Sequence, residues 1–378
     1  MFRRKLKAGI GLAAVFALCA PAAAGAKDAL RVGAVESLTG PVATAGIPNG
    51  CGLQIAADYI NEHGVMSKYD LELVIEDDQS KPAVAAQAAS KLTGDDITLF
   101  VGGTSTSTVL AQLPILKDAG AFYTGGTTKA DQVFDSDALV IRLNSNAAQD
   151  GAVIADYVAK TLGAKKIAFV ALQGAYADGV LKSISMALPA ESKIVDPFIV
   201  PADTTNFQSV ITSLAASDFD AVILGTFGQT QTVAFLRQYK QAGVQKPLVM
   251  GSGLLFPGVA KAAGGAAEGV VSADLWTDAI ANPANDVLKA AFEKYKDKHA
   301  LCKDLPLDKQ IAITFSQVLL LAQAIEKSDS VDPETLRKTV METEWELPQG
   351  KVQFDERGQA KVTYTLIVAK GDTTVPLK

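Results

Sequence analysis

Short apolar runs alternate with longer amphipathic segments from residue 30 onward. Runs at 30–35, 71–76, 99–101, 122–124 and 140–142 have strand length, and segments of helical period separate them at 47–63, 82–92 and 109–116. This alternation predicts a parallel sheet covered by helices, with ligands gathering beyond the carboxyl ends of the strands. The pattern then begins again. A helix over 147–162 leads to strands at 167–172, 194–200 and 221–224, with helices between them up to 188 and over 206–216. Further strands are expected at 247–250 and 269–271. From 285 the chain turns helical at 287–299, 308–327 and 333–341, and it closes with strands near 352–354 and 362–368 joined by a turn at Asp355-Glu356-Arg357-Gly358. The expected fold class is α/β, with two doubly wound parallel-sheet lobes; the chain returns to the first lobe after the second and finally crosses again.

The segment 96–126 organises the rest. A strand ending at Leu99-Phe100-Val101 enters Gly102-Gly103 and a hydroxyl-rich turn, Thr104 to Thr108, before a helix with apolar Val109, Leu110, Leu113 and Leu116. Such a turn offers hydroxyls and free backbone N–H groups at a helix N-terminus, where the partial positive charge favours a carboxylate. A similar unit recurs 123 residues later, with Gly102, Ala111, Leu113, Lys117, Ala119 and Gly120 matched by Gly225, Ala234, Leu236, Lys240, Ala242 and Gly243. Two similar halves facing each other across a cleft is the simplest architecture that uses this repeat.

Residues 1–26 have the zones of a secretory signal: basic Arg3, Arg4, Lys5 and Lys7, an apolar run at 8–20, and small residues Ala24-Gly25-Ala26 for cleavage. The apolar run is shorter than the ~18 residues a membrane span needs. Cys19 follows Leu18, whose bulk does not suit a lipidation site, so a soluble exported protein is expected. Without the leader, 31 basic residues face 41 acidic ones, a net charge of −10. That balance is ill suited to nucleic acid, whose phosphates require clustered Lys and Arg. Cys51 and Cys302 then remain. An oxidising compartment allows one disulfide and equally two isolated buried thiols; we incline to the thiols, because the sequence supplies no distance. His63 and His299 have no ligand-spaced partners, so neither a metal site nor a cofactor is expected.

Several stretches taken in order carry a resemblance: Thr39-Gly40-Pro41, Gly52 with Ala56-Ala57 and Ile60-Asn61, Asp77-Asp78 with Pro82, Ser105 to Ser107, and Tyr176-Ala177-Asp178-Gly179. Leu236-Arg237-Gln238 with Ala242-Gly243, Ala267-Glu268-Gly269 and Phe354-Asp355 with Gly358 extend it over nearly the whole mature chain. Together they resemble the type I periplasmic solute-binding proteins, the receptors of ABC importers for leucine, isoleucine and valine. The resemblance implies two lobes joined by three crossovers near Asn146, Trp276 and Lys351, that is 27–146 plus 277–351 and 147–276 plus 352–378, closing on a ligand about a hinge. It implies a periplasmic monomer that hands its ligand to a membrane permease. Residue by residue, it assigns Ser105, beside Thr106, to the ligand carboxylate, and Gly126 and Thr128 to the completion of that grip. Tyr176 and Phe227 become cleft aromatics of the second lobe.

The departures narrow the ligand. Gly253 stands where amino-acid binders carry an acidic residue for the ligand ammonium, Ala45 where they place an aromatic, and Ser80 and Thr104 where some relatives have cross-linking cysteines. A buried ammonium without a counter-charge costs several kcal/mol. A small carboxylate with an uncharged tail, aromatic or aliphatic, is therefore the expected ligand. Amino acids stay open, because Asp78, Asp178 or Asp274 could supply the missing charge. An enzyme lacks support: there is no Gly-x-Ser-x-Gly elbow, no phosphate loop, no dinucleotide fingerprint, and no histidine placed to serve Ser105. A sensor or regulator built on the same lobes is the alternative, opposed by the leader and by the lack of any effector segment.

Overall fold

The computed structural model describes Met1, residues 27–125 and residues 127–377. The leader with Cys19, and Gly126, lie outside the described residues. The first half runs β1 (Asp28–Glu36), α1 (Ala43–His63), β2 (Tyr69–Asp77), α2 (Pro82–Gly94), β3 (Leu99–Gly102), α3 (Thr106–Asp118), β4 (Phe122–Gly125) and β5 (Leu139–Arg142). Its five strands form one parallel sheet in the order β2-β1-β3-β4-β5. The second half runs α4 (Ala147–Asp156), β6 (Lys166–Leu172), α5 (Ala175–Ala187), β7 (Lys193–Val200), α6 (Gln208–Ala216), β8 (Ala221–Leu224), α7 (Gln229–Gln241), β9 (Leu248–Met250), α8 (Pro257–Ala263) and β10 (Val271–Asp274).

The chain then returns as α9 (Pro283–Tyr295), α10 (Lys309–Ser328) and α11 (Pro333–Met341), which pack on the first sheet with α1. Fourteen residues of α10 between Ile311 and Ile325 are buried. A helix apolar nearly all round has to lie inside, and α10 does so against α1. Short strands β11 (Trp345–Leu347), β12 (Gly350–Phe354) and β13 (Ala360–Lys361) form a small antiparallel sheet. Finally β14 (Thr365–Lys370) and β15 (Thr373–Pro376) join the second sheet, whose order is β15-β14-β10-β9-β8-β6-β7. Chain order thus carries three passages between the two sheets.

Three expectations need correction. The strand expected at 362–368 begins only at Thr365 and runs on to Lys370 as β14, which pairs antiparallel with β10, while the separate short strand Ala360–Lys361 before it pairs with β12. The second sheet is therefore mixed, with β15 an edge strand that carries no clear sequence signal. Helix α1 begins at Ala43, not near 47, and contains Pro48. A proline suggests a first-turn position, but the first helical turn closes upstream of it, where the Ala45 and Gly46 N–H groups donate to the Val42 carbonyl at 3.0 and 3.2 Å. Cys51 and Cys302 are not isolated thiols; they form a disulfide with Cα atoms 4.9 Å apart, joining α1 to the turn that precedes α10.

The repeat has a structural counterpart. Helices α3 and α7 are both thirteen residues long, and Ala119-Gly120 and Ala242-Gly243 end them alike, with φ of +62° at Gly120 and +69° at Gly243. Left-handed glycine just past the last helical residue satisfies the final carbonyls at no Cβ cost.

Candidate functional site

The turn after β3 is shaped from beneath. Gly102 and Gly103 have φ of +91° and +95°; a Cβ on Gly102 would overlap the Glu36 carboxylate, and one on Gly103 the Tyr123 hydroxyl. Both positions therefore require glycine. Glu36, fully buried at the end of β1, accepts from the Gly103 N–H at 2.8 Å, the Thr104 hydroxyl at 2.5 Å and the Asn49 amide at 3.1 Å. From the other side Gln317 of α10 accepts from the Gly102 N–H at 3.0 Å and donates to the Gly125 carbonyl at 2.5 Å. The carboxyl ends of β3 and β4 are thus clamped together.

Burial raises the Glu36 carboxyl to about 7, against the hydrogen bonds that favour its charged form. Since the unfolded group titrates near 4.5, the unfolded state loses its proton first on raising the pH. The Glu36 contribution to stability is therefore complete below about 4.5 and is lost as the pH rises toward about 7. Melting temperatures of wild type and Glu36→Gln from pH 4 to 8 are expected to diverge in favour of the variant across that window; a gap constant with pH would contradict this.

On this platform, Ser105 is the N-cap of α3: its hydroxyl accepts from the Thr108 N–H at 3.3 Å and lies 3.0 Å from the Thr108 hydroxyl. The Thr106 and Thr128 hydroxyls meet at 2.9 Å, so the turns after β3 and β4 converge. Lys129, next to Thr128, spans the gap to the second half. Its ammonium donates to the Asp150 carboxylate at 2.6 Å and to the Ser252 carbonyl at 3.2 Å. Asp150 of α4 also accepts from the Tyr176 and Tyr364 hydroxyls, each at 2.5 Å. Burial pushes the Asp150 carboxyl up, but the Lys129 ammonium and the two tyrosine hydroxyls outweigh it and hold the group below its ordinary range. The Tyr176 hydroxyl is driven well up by burial and by Asp150, so it donates as a neutral phenol.

Between the two halves lies a cavity of about 460 Å³. Val42, Ala45 and Pro48 line one wall, Phe227, Leu254 and Phe256 the other, and Gly253, Asp274, Asp308, Lys309 and Gln310 form a polar flank. Phe227 packs on Phe207 and Phe235, with ring centres 5.4 and 5.8 Å away, which fixes its ring. Tyr176 lines a smaller adjoining recess of about 270 Å³ that also touches Phe227. Ser105, Thr106 and Thr128 do not line the large cavity. They connect to it through Lys129, which bonds the residue before Gly253. Of the three aspartates considered as alternative counter-charges, only Asp274 lines the cavity; Asp78 lies buried beside Ser80, and Asp178 sits in the first turn of α5. The sequence reading did not find Lys129, Asp150, Lys309 or Tyr364, whose pairings link distant positions without any local motif.

The chain matches the periplasmic binding protein family over residues 29–374. It belongs to that family. Among characterised relatives, a leucine-, isoleucine-, valine-, threonine- and alanine-binding protein of Pseudomonas aeruginosa is 26% identical over 338 residues, covering 89% of this chain and 88% of the relative. A leucine-specific-binding protein of Salmonella typhimurium is 26% identical over 359 residues, covering 94% and 95%. The branched-chain amino acid transporter substrate-binding protein of Streptococcus pneumoniae, solved with isoleucine, superposes with a TM-score of 0.80 at 21% identity, over 93% of this chain and all of that one. A Rhodopseudomonas palustris solute-binding protein solved with 4-hydroxybenzoate superposes at 0.78 and 21% identity, over 92% and 97%. The two parallel-sheet lobes of this periplasmic binding protein are the fold these structures share, and membership in a binding family sets the enzyme reading aside.

Among the described residues no helix is long and apolar enough to cross a membrane.

Proposed function

We propose that this periplasmic binding protein delivers a small organic carboxylate to the permease of an ABC importer, the ligand being held between lobes made of 27–146 plus 277–351 and 147–276 plus 352–378. The observation that carries the reading is the meeting of the Thr106 and Thr128 hydroxyls at the N-terminus of α3, beside a cavity with apolar walls. Hydroxyls, a helix N-terminus and the Lys129 ammonium suit a carboxylate; Phe227, Phe256 and Val42 suit an uncharged body. Ligand touching both lobes favours the closed form, because only that form makes both sets of contacts. A permease that distinguishes closed from open would then be told that cargo is aboard. The amino acids and hydroxybenzoate bound by relatives are carboxylates of this size. The 1–26 leader supports export to the periplasm.

Ser105 acts mainly by capping α3, with Thr106 and Thr128 nearest the ligand oxygens, and Tyr176 and Phe227 on the facing lobe. A thermal-shift panel of benzoate, 4-hydroxybenzoate, 4-methyl-2-oxopentanoate, phenylpyruvate, leucine and phenylalanine tests the reading. At a hundredfold excess over Kd a true ligand adds about 2.7 kcal/mol of stability. If none of these carboxylates raises the melting temperature, the reading fails. For the acid that binds, Thr128→Val is expected to weaken affinity by about 1.5–3 kcal/mol, roughly ten- to hundredfold, as for a lost hydrogen bond to a charged group. Calorimetric affinity unchanged by the substitution would remove Thr128 from the grip.

A further inference from the structure

The polar flank of the cavity holds a second ion pair that the carboxylate grip does not use. Lys309 is the first residue of α10, and its side chain is only 11% exposed. Its ammonium faces Asp274 at the end of β10 across 3.6 Å, too far for a hydrogen bond. Among the described residues it has no hydrogen-bond acceptor, although an ammonium carries three donors. The same nitrogen fills the space over Gly253: a Cβ placed there would overlap it. Gly253 has φ of +78°, so an acidic side chain at that position would meet both backbone strain and Lys309.

Two carboxylates line this flank. Each spends one oxygen on a backbone N–H, Asp308 on that of Ile311 at 3.0 Å and Asp274 on that of Leu275 at 2.8 Å. Asp274 is the one that stands within ion-pair distance of Lys309, and it is the group that would receive a ligand cation. Asp274 is 3% exposed and already looks toward Lys309. An amino acid's ammonium entering here would share its counter-charge with a second ammonium, and like charges at close range in a desolvated site repel strongly. An oxygen in the same place would give the Lys309 ammonium the acceptor it lacks.

We propose that Lys309 determines ligand specificity: its ammonium occupies Asp274, the cavity carboxylate that a ligand ammonium would need, and it selects carboxylic acids bearing an oxo or hydroxyl oxygen in place of the amino group. This rests on the cleft being the ligand site as proposed above, and it narrows the ligand from carboxylates in general to oxygen-substituted, ammonium-free acids.

Isothermal titration with pairs of identical skeleton tests it: 4-methyl-2-oxopentanoate against leucine, and phenylpyruvate against phenylalanine. Wild type is expected to prefer the oxo acid at least tenfold in one pair or both. Lys309→Met should weaken that oxo acid at least tenfold and bring the ratio to unity or invert it, since Asp274 is then free to accept an ammonium. Lys309→Arg should keep the preference, and Lys309→Gln reads the loss of charge should the methionine variant fail to fold. A wild type that prefers the amino acids, or an oxo-acid preference that Lys309→Met leaves within twofold, overturns the assignment. Should benzoate or 4-hydroxybenzoate bind while neither pair does, the Lys309 assignment falls and the organic-acid function stands; if no carboxylate binds, both fall.

Discussion

Asp150→Ala is expected to destabilise the protein by about 3–5 kcal/mol, the cost of removing one partner from a buried ion pair. The Asp150 side chain is 1% exposed and that of Lys129 13%. Removing the carboxylate strands the ammonium out of water and leaves the Tyr176 and Tyr364 hydroxyls without their acceptor. Because Lys129 comes from the turn after β4 and Asp150 from α4, the substitution also loosens the seam between the halves. Equilibrium urea unfolding followed by tryptophan fluorescence measures the loss. The double variant Lys129→Met/Asp150→Ala, which removes both charges, is expected to recover a substantial part of it. A single variant within 1 kcal/mol of wild type, or a double variant less stable than the single one, would show that the pair is not buried as described.

Breaking the Cys51–Cys302 bridge is expected to cost about 2–5 kcal/mol. The bond joins positions 251 residues apart, so in the unfolded chain it closes a very long loop, and its removal restores that entropy. It also fastens α1 to the turn before α10, and these two helices form the centre of the first lobe. The variant Cys51→Ala/Cys302→Ala should melt lower than oxidised wild type, and dithiothreitol should lower wild type toward the variant while leaving the variant unchanged. Equal melting temperatures for oxidised and reduced wild type would contradict the bridge. The inclination to isolated thiols failed because separation along the chain carries no information on distance. What brings the sulfurs together is the return of the chain to the first lobe after the second.

The same distinction separates what was legible in the sequence from what was not. Apolar runs of strand length and the helical period of the segments between them carry local information, and β1 to β5 and α9 to α11 follow it. Gly102-Gly103, the hydroxyl turn and the two Ala-Gly helix ends were likewise readable, because each residue type answers a local backbone demand. The late start of β14 and the edge strand β15 depend on which neighbour offers a free edge: β14 pairs with β10, about a hundred residues earlier in the chain, and β15 pairs in turn with β14. The cleft behaves in the same way. Thr106 and Thr128 could be placed from the turns that bear them, whereas Lys129, Asp150, Asp274 and Lys309 acquire meaning only as pairs. The resemblance suggested a missing acid at Gly253, but the sequence could not reveal that the lysine opening α10 fills the space over it.

The most direct measurement is a crystal structure of the mature protein with the tightest-binding carboxylate of the panel. The carboxylate is expected within hydrogen-bond distance of the Thr106 and Thr128 hydroxyls, with the body of the ligand between Ala45 and Phe227. A ligand bound away from the junction of the two sheets, or with its carboxylate turned away from the α3 N-terminus, would contradict the closure of two lobes on an acid.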